Sequence, residues 1–400
     1  MSELASEPSP SNRTSPRWMH WINLVGNILV ILGAGSFFLF FLSWRPDSGV
    51  ASIFGQLSNR TIYLWAYMCG FIALMASIGA LDSILRLSGR AKYPKRKEAG
   101  WLRFIIIMFP FILWAVEAWK YSIILPGWIF SVLIFMGVLI PAVWLLRMAS
   151  GHLWGKHKGR NASVISFSSS VTMPFIMLVE LLVMIIAIIL LAAFSFSGFF
   201  KVPESMSEIE ELLNSPLAVL IITIFVAGVG PFIEELFKTL AVWSLQGLEI
   251  SEEEGYVAGM MSGAAFALVE GMLYAAQTAM TPGNDWLYFL LGRFGGTLIH
   301  IFNGGLIGWV LTRTWQDRKL ARLLVVYLLA FIVHGLWNLA VVLTQLIPSL
   351  RGEEIDQVLS NGVMAALAVL VTVGFFAFAR HVLKGRDLHP VTQTGESNVI

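Results

Sequence analysis

The sequence predicts an all-α integral membrane protein, a polytopic helical bundle of about ten transmembrane helices with no soluble domain large enough to fold by itself. The chain's 400 residues are 57% hydrophobic and only 13% charged, a composition outside the range of ordinary soluble proteins. Apolar runs of about 20 residues recur along the whole chain, and each is long enough to cross about 30 Å of hydrocarbon. Every such run is therefore a candidate membrane span.

The apolar runs divide the chain into predicted helices and two polar tails. The predicted helices lie near residues 21–43, 62–85, 102–118, 123–146, 171–196, 216–244, 256–279, 288–312, 323–347 and 358–380. The segments 1–20 and 386–400 are polar and have no apolar period, so we predict disordered tails there. Between the tails we predict a five-helix region at 21–200, a membrane core at 201–350 and a final transmembrane helix at 351–385.

Basic residues between the predicted helices indicate how the chain crosses the membrane. Lys and Arg crowd the loops at 86–103 and 156–160, and more follow the eighth and the tenth helix. Such loops stay on the cytoplasmic side, so an even number of helices places both termini in the cytoplasm. We predict a multi-pass protein of the plasma membrane.

Composition also excludes some classes of function. No tract of Lys and Arg lies beside stacking aromatic residues, so no nucleic-acid partner is predicted. The single cysteine, Cys69, excludes an intrachain disulfide and a Cys-rich metal site. The lipid bilayer is the partner that composition predicts, and the oligomeric state stays open.

The sixth helix carries three ionisable residues at membrane depth. Glu234, Glu235 and Lys238 follow Pro231 in the run GVGPFIEELFKTLAVW. A charged side chain at mid-membrane costs about 2.5 to 3.5 kcal/mol on insertion scales, so a cluster of them indicates a functional site. The i,i+4 spacing predicts an ion pair between Glu234 and Lys238, which leaves Glu235 available. Pro231 and the glycines before it predict a kink.

The next three helices add polar groups to this cluster. Glu270 lies in helix seven behind a face of small residues, and His300 lies near the middle of helix eight. His334 and Asn338 project from one face of helix nine because they are four residues apart. Carboxylate, imidazole and carboxamide groups on four consecutive helices are the side chains that a hydrolytic metal site uses.

Zinc is the metal that this set of side chains favours. Zn²⁺ takes His and Glu ligands and keeps a position open for water, whose pKa it lowers to about 7. The candidate ligands are Glu270, His300 and His334. Glu235 is the candidate general base, and Asn338 is the candidate donor to the developing oxyanion.

A metal-free mechanism is the alternative. Buried Glu235 or Glu234 could activate water directly, with His300, His334 and Asn338 holding the oxyanion. The sequence does not decide between the two mechanisms.

Four motifs follow one another on these helices. They are Glu234-Glu235-x-x-Lys238, Phe266-x-x-x-Glu270, His300 and His334-x-x-x-Asn338. In this order they resemble the EExxK, FxxxE and histidine motifs of the PrsW family of intramembrane proteases, which is more distantly similar to CAAX prenyl proteases. The resemblance covers about residues 215–345. It implies an endopeptidase that cleaves a membrane-anchored protein, with the glutamates and histidines in catalysis or metal binding.

Two other interpretations of the polar cluster stay open. A proton- or cation-coupled transporter would bind or relay ions with the same buried groups, although no internal repeat is evident. A non-enzymatic scaffold would use them only to pair helices. Two further residues lie outside the motifs: Glu180 is assigned a structural or interfacial role, and Arg293 either reaches the membrane surface or orients a substrate.

Overall fold

The protein is described by a computed structural model that covers residues 15–43, 59–91, 100–121, 127–196, 216–278, 286–350 and 356–384. These residues form helices joined by turns, and no β-strand occurs among them. Ten of their helices are long and apolar enough to cross a membrane. The predicted fold class, a polytopic all-α bundle, is confirmed, and the chain is an integral membrane protein.

The ten helices lie close to their predicted positions. They are α1 (Arg17–Leu42), α2 (Thr61–Leu87), α3 (Gly100–Ala118), α4 (Trp128–Ala149), α5 (Lys158–Ala187), α6 (Val219–Trp243), α7 (Glu252–Thr278), α8 (Trp286–Asp317), α9 (Leu320–Leu346) and α10 (Val358–Lys384). The α-helical structure at the end of α5 continues to Phe196. The main departure is the start of α5, which begins at Lys158 rather than near residue 171, because its first turns are polar and carry no apolar signal.

The predicted tails fall almost entirely on residues that the structure does not describe. Residues 1–14 and 385–400 lie outside the described ranges, so disorder there stays a prediction. The exception is the end of the first tail, because α1 begins at Arg17. The division of the chain into regions at residues 200 and 350 also stays a prediction.

The polar start of α5 is buried against α1. Asn23 donates its side-chain amide to the Ser163 carbonyl oxygen at 3.1 Å, and Asn27 donates to Ser166 Oγ at 2.8 Å. Unpaired amides are costly in an apolar environment, so these hydrogen bonds stabilise the contact of the two helices. The first helix is thereby attached to the second half of the N-terminal region.

Two serine hydroxyl groups connect α5, by way of α7, to the end of the EExxK segment in α6. Ser262 on α7 donates its hydroxyl to the Lys238 carbonyl oxygen at 2.6 Å, and Ser168 Oγ lies 2.7 Å from Ser262 Oγ. Ser262 has one hydroxyl proton, so Ser168 is the donor to Ser262. The carbonyl at the end of this helical segment is thus hydrogen bonded by α7.

The sixth helix is interrupted twice. Phe225–Val229 is a π-helical segment, and the α-helix Gly230–Lys238 ends before Thr239. Pro231 has no N–H to donate to the Ala227 carbonyl, so the regular hydrogen-bond pattern cannot pass through this point. The kink that Pro231 predicts therefore takes the form of a π segment.

Helices α7 and α8 form the centre of the bundle, and both are buried along most of their length. Their backbones are in contact, since a Cβ atom on Gly259 would collide with the Gly304 carbonyl oxygen. A Cβ atom on Gly263 would likewise collide with the His300 carbonyl oxygen. Small residues at such a seam permit close helix packing within a membrane. The seam fixes the position of His300 beside α7.

We expect Gly259→Ala to lower the melting temperature of the protein in detergent. The added methyl group would meet the Gly304 carbonyl oxygen, and overpacking typically lowers the free energy of unfolding by about 1–3 kcal/mol. The control is Gly362→Ala, because a Cβ atom there meets nothing within 4 Å. Equal melting temperatures of the two variants would contradict the close packing of α7 on α8.

Candidate active site

The two adjacent glutamates of α6 have different partners. Lys238 Nζ forms an ion pair with Glu235, whereas its distance to Glu234 Oε2 is 4.0 Å. The same ammonium group lies 4.9 Å from the centre of the Phe266 ring, a cation–π contact. The predicted ion pair between Glu234 and Lys238 is therefore present, but only as the longer of two contacts of Lys238. Lys238 neutralises Glu235 at i,i+3 spacing, and Glu234 keeps only the longer contact.

His334 contacts both glutamates from α9. Its Nδ1 atom lies 2.8 Å from Glu235 Oε1, and its Nε2 atom lies 3.9 Å from Glu234 Oε2. An ionised carboxylate only accepts hydrogen bonds, so Nδ1 donates and the lone pair of Nε2 is left on the side of Glu234. Tyr327, two turns earlier on α9, donates its hydroxyl to the Glu235 backbone carbonyl. Glu235 is fully buried and held by three other residues.

A second buried set is centred on Glu270 in α7. Glu270 Oε2 lies 2.7 Å from His300 Nε2 and 2.7 Å from Arg293 Nη2. Arg293 and His300 are two turns apart on α8, so both reach the same carboxylate. Arg293 is thus the cation that neutralises Glu270, rather than a residue that reaches the membrane surface. Nε2 donates to Glu270, which leaves the lone pair of His300 Nδ1 unused.

The two histidines bring the sets together. Their rings are perpendicular, with centroids 4.9 Å apart. One ligand atom from each of Glu234, His300 and His334 lies within 4.8 Å of the others, a group that could hold a metal ion. Glu234 Oε2 and His300 Nδ1, like Glu235 Oε2, are buried and have no hydrogen-bond partner in the described structure. Unsatisfied lone pairs of this kind fit a Zn²⁺ ligand set.

This group differs from the predicted ligand set in one residue. The sequence suggested Glu270 with His300 and His334, whereas the geometry brings Glu234 to the two histidines. Glu270 instead lies behind His300, and Glu235 lies behind His334. Carboxylates in that position orient ligand histidines and raise their basicity.

Asn338 is placed away from the predicted oxyanion role. Its side-chain amide donates to the Val226 carbonyl oxygen at 3.0 Å, inside the π segment of α6. Gly335, one turn earlier, has the Ala227 carbonyl oxygen 2.7 Å from the place of a Cβ atom. Helix α9 therefore supports the backbone of α6 where the α-helical pattern is broken.

Glu180 lies near the site, although its sequence position predicted only a structural or interfacial role. Its Oε1 atom lies 3.7 Å from the place of a Cβ atom on Gly230, one turn before Glu234. It also interacts electrostatically with Glu270 and Lys238. The available signal was an ionisable residue inside the otherwise apolar helix Met173–Phe196.

The fold and the site define a class of protein: a polytopic membrane protein with a buried Glu/His group able to hold a metal ion. The family model for PrsW family intramembrane metalloproteases matches residues 173–378, slightly more than half of the chain. The chain belongs to this family, which confirms the resemblance seen in its motifs. No curated protein and no solved structure matched the chain.

We expect Asn338→Ala to loosen the π segment of α6. The variant loses the hydrogen bond to the Val226 carbonyl, and such bonds contribute about 1 kcal/mol. Amide hydrogen exchange in residues 225–230 should become faster.

Asn303→Ala is the matched control, because Asn303 donates in the same way to the Ala330 carbonyl at 2.9 Å. It should lower the melting temperature by a similar amount and leave exchange in residues 225–230 unchanged. Identical exchange in the Asn338 variant and the wild type would show that the amide does not hold this segment.

Proposed function

We propose that the chain is an intramembrane endopeptidase that cleaves a membrane-anchored protein by attack of an activated water molecule. The observation that carries the proposal is the convergence of Glu234, His300 and His334 inside the membrane core. Membership of a metalloprotease family supports peptidase activity at this group. Peptide hydrolysis needs a nucleophile, a site for the developing charge and a proton carrier, and buried Glu and His side chains supply these.

Glu234, His300 and His334 would hold the metal, which we propose is Zn²⁺. When bound, Zn²⁺ acidifies water and polarises a carbonyl group. Glu235 keeps His334 in the tautomer that presents Nε2, and Lys238 neutralises Glu235. Glu235 is thereby proposed as an orienting residue, in place of the general base that the sequence suggested.

Glu270 is likewise proposed as an orienting residue, for His300. It accepts a hydrogen bond from His300 and is neutralised by Arg293. The two histidines are therefore each held by a carboxylate, and each carboxylate is matched by one cation. Of the three motif glutamates, Glu234 is therefore the one without a close cation. A divalent ion bound beside Glu234 would compensate its charge.

The proposal extends to the location of the protein. Basic loops between the helices favour an orientation with both termini in the cytoplasm, and we propose the plasma membrane as the location. A membrane-anchored substrate would approach through the bilayer, and its helix would have to unwind before a peptide bond reached the site. The peptide bond in an intact helix is shielded by its own hydrogen bonds.

Metal content and peptidase activity should be measured together on purified protein. We expect the wild type to bind about one metal ion per chain and to cleave at least one member of a panel of single-span substrates. Glu234→Gln and His334→Ala should lose the ion and the activity. Glu235→Gln should keep the ion with about 10- to 100-fold weaker affinity, because it orients a ligand and does not bind the ion itself.

His381→Ala is the control for histidine loss, since His381 is exposed on α10; it should keep both ion and activity. Active wild type without a bound metal would favour direct activation of water by Glu234. A folded wild type that is inert on the whole panel but moves protons or cations in liposomes would refute the protease and favour the transporter.

A further inference from the structure

The carboxylates of the family motifs are already engaged in the proposed function. Glu235 bonds Lys238 and His334, and Glu270 bonds Arg293 and His300. Glu234 is the proposed metal ligand. Hydrolysis of a peptide bond also needs a group that removes a proton from water and returns it to the leaving amine. None of the three glutamates is left for this step.

Glu180 is a fourth carboxylate beside the same helix. It lies on the face of α5 that packs against α6 and α7, because Ile176 and Val183 on that face contact the cluster of Ile233 and Phe266. Its carboxylate approaches α6 at Gly230, where Oε1 is 3.7 Å from the place of a Cβ atom.

The surroundings of Glu180 differ from those of the other glutamates. It is partly buried within a membrane helix, and the described part of the chain offers it no hydrogen bond or ion pair. Glu234 and Glu270 are close enough to interact with it electrostatically. A carboxylate without a bound cation can take up and release a proton, whereas one locked in an ion pair cannot do so without breaking it.

We propose that Glu180 is the catalytic residue that transfers the proton, an inference that rests on the proposed function of the site. Glu180 accepts a proton from the attacking water while the water oxygen bonds to the scissile carbonyl carbon. It then gives that proton to the amide nitrogen as the carbon–nitrogen bond breaks. One water molecule is consumed, a carboxyl group and an amine are formed, and Glu180 returns to its starting state.

The test compares Glu180→Gln with the wild type on the same single-span substrate. We expect kcat to fall at least about 100-fold, the range typical of a lost general base, with KM and metal content unchanged. Glu180→Asp should recover part of the activity. Formate added to Glu180→Ala should also restore part of it, because a small carboxylic acid replaces the missing group and a merely structural role would not respond.

Glu117→Gln is the matched control, a glutamate in α3 outside the residues that match the family, and it should keep full kcat. The inference is overturned if Glu180→Gln keeps kcat within about threefold of the wild type. It is also overturned if the variant loses its metal together with its activity, since Glu180 would then support the site structurally. In both cases the wild type remains an active protease and the proposed function stands. A wild type without peptidase activity refutes the proposed function itself, and this inference with it.

Discussion

Charge neutralisation in a medium without water is the constraint on which the site depends. A fully buried carboxylate inside hydrocarbon is so costly that it must be paired or must give up its charge. Lys238 neutralises Glu235 within α6, and Arg293 of α8 neutralises Glu270 of α7. A histidine also hydrogen bonds the carboxylate of each pair. Glu234 lies between them with a buried, unsatisfied oxygen, so the charge of the core is balanced only when a further cation or a proton is present there.

The packing of the helices explains why these groups can meet at all. Glycines let α7 and α8 approach until their backbones touch, which brings His300 within reach of Glu270. The π segment shifts the register of α6, so that Gly230–Lys238 forms a separate helical segment. The Val226 and Ala227 carbonyl groups of this segment face α9, where Asn338 donates to the first and Gly335 leaves room for the second. Irregular backbone is tolerated at membrane depth only where protein groups satisfy it, so α6 and α9 form one structural unit.

Sequence pattern predicts those parts of this structure that depend on single helices. The ten spans, the break near Pro231 and the four helices that carry the polar groups follow from apolar runs and local spacing. The choice of partner for Lys238 does not follow, because Glu234 and Glu235 both lie within about one turn of it and local spacing permits either pair. The ion pair between Glu270 and Arg293 does not follow from sequence spacing either, because the two residues lie on different helices. Glu180 was missed for a related reason, as α5 carries no second polar residue near it to form a motif.

Helix α5 contains the residue at which the match to the family begins. The family match starts at residue 173, directly after the π segment Ser168–Thr172 of α5, whereas the predicted boundary lies at residue 200. From Met173 onward α5 packs against α6 and α7 and brings Glu180 towards the site. Just before that point, Ser168 hydrogen bonds Ser262 and through it the end of the EExxK segment. The earlier polar turns of α5 bind α1. One helix therefore contacts both α1 and the helices that carry the Glu/His group.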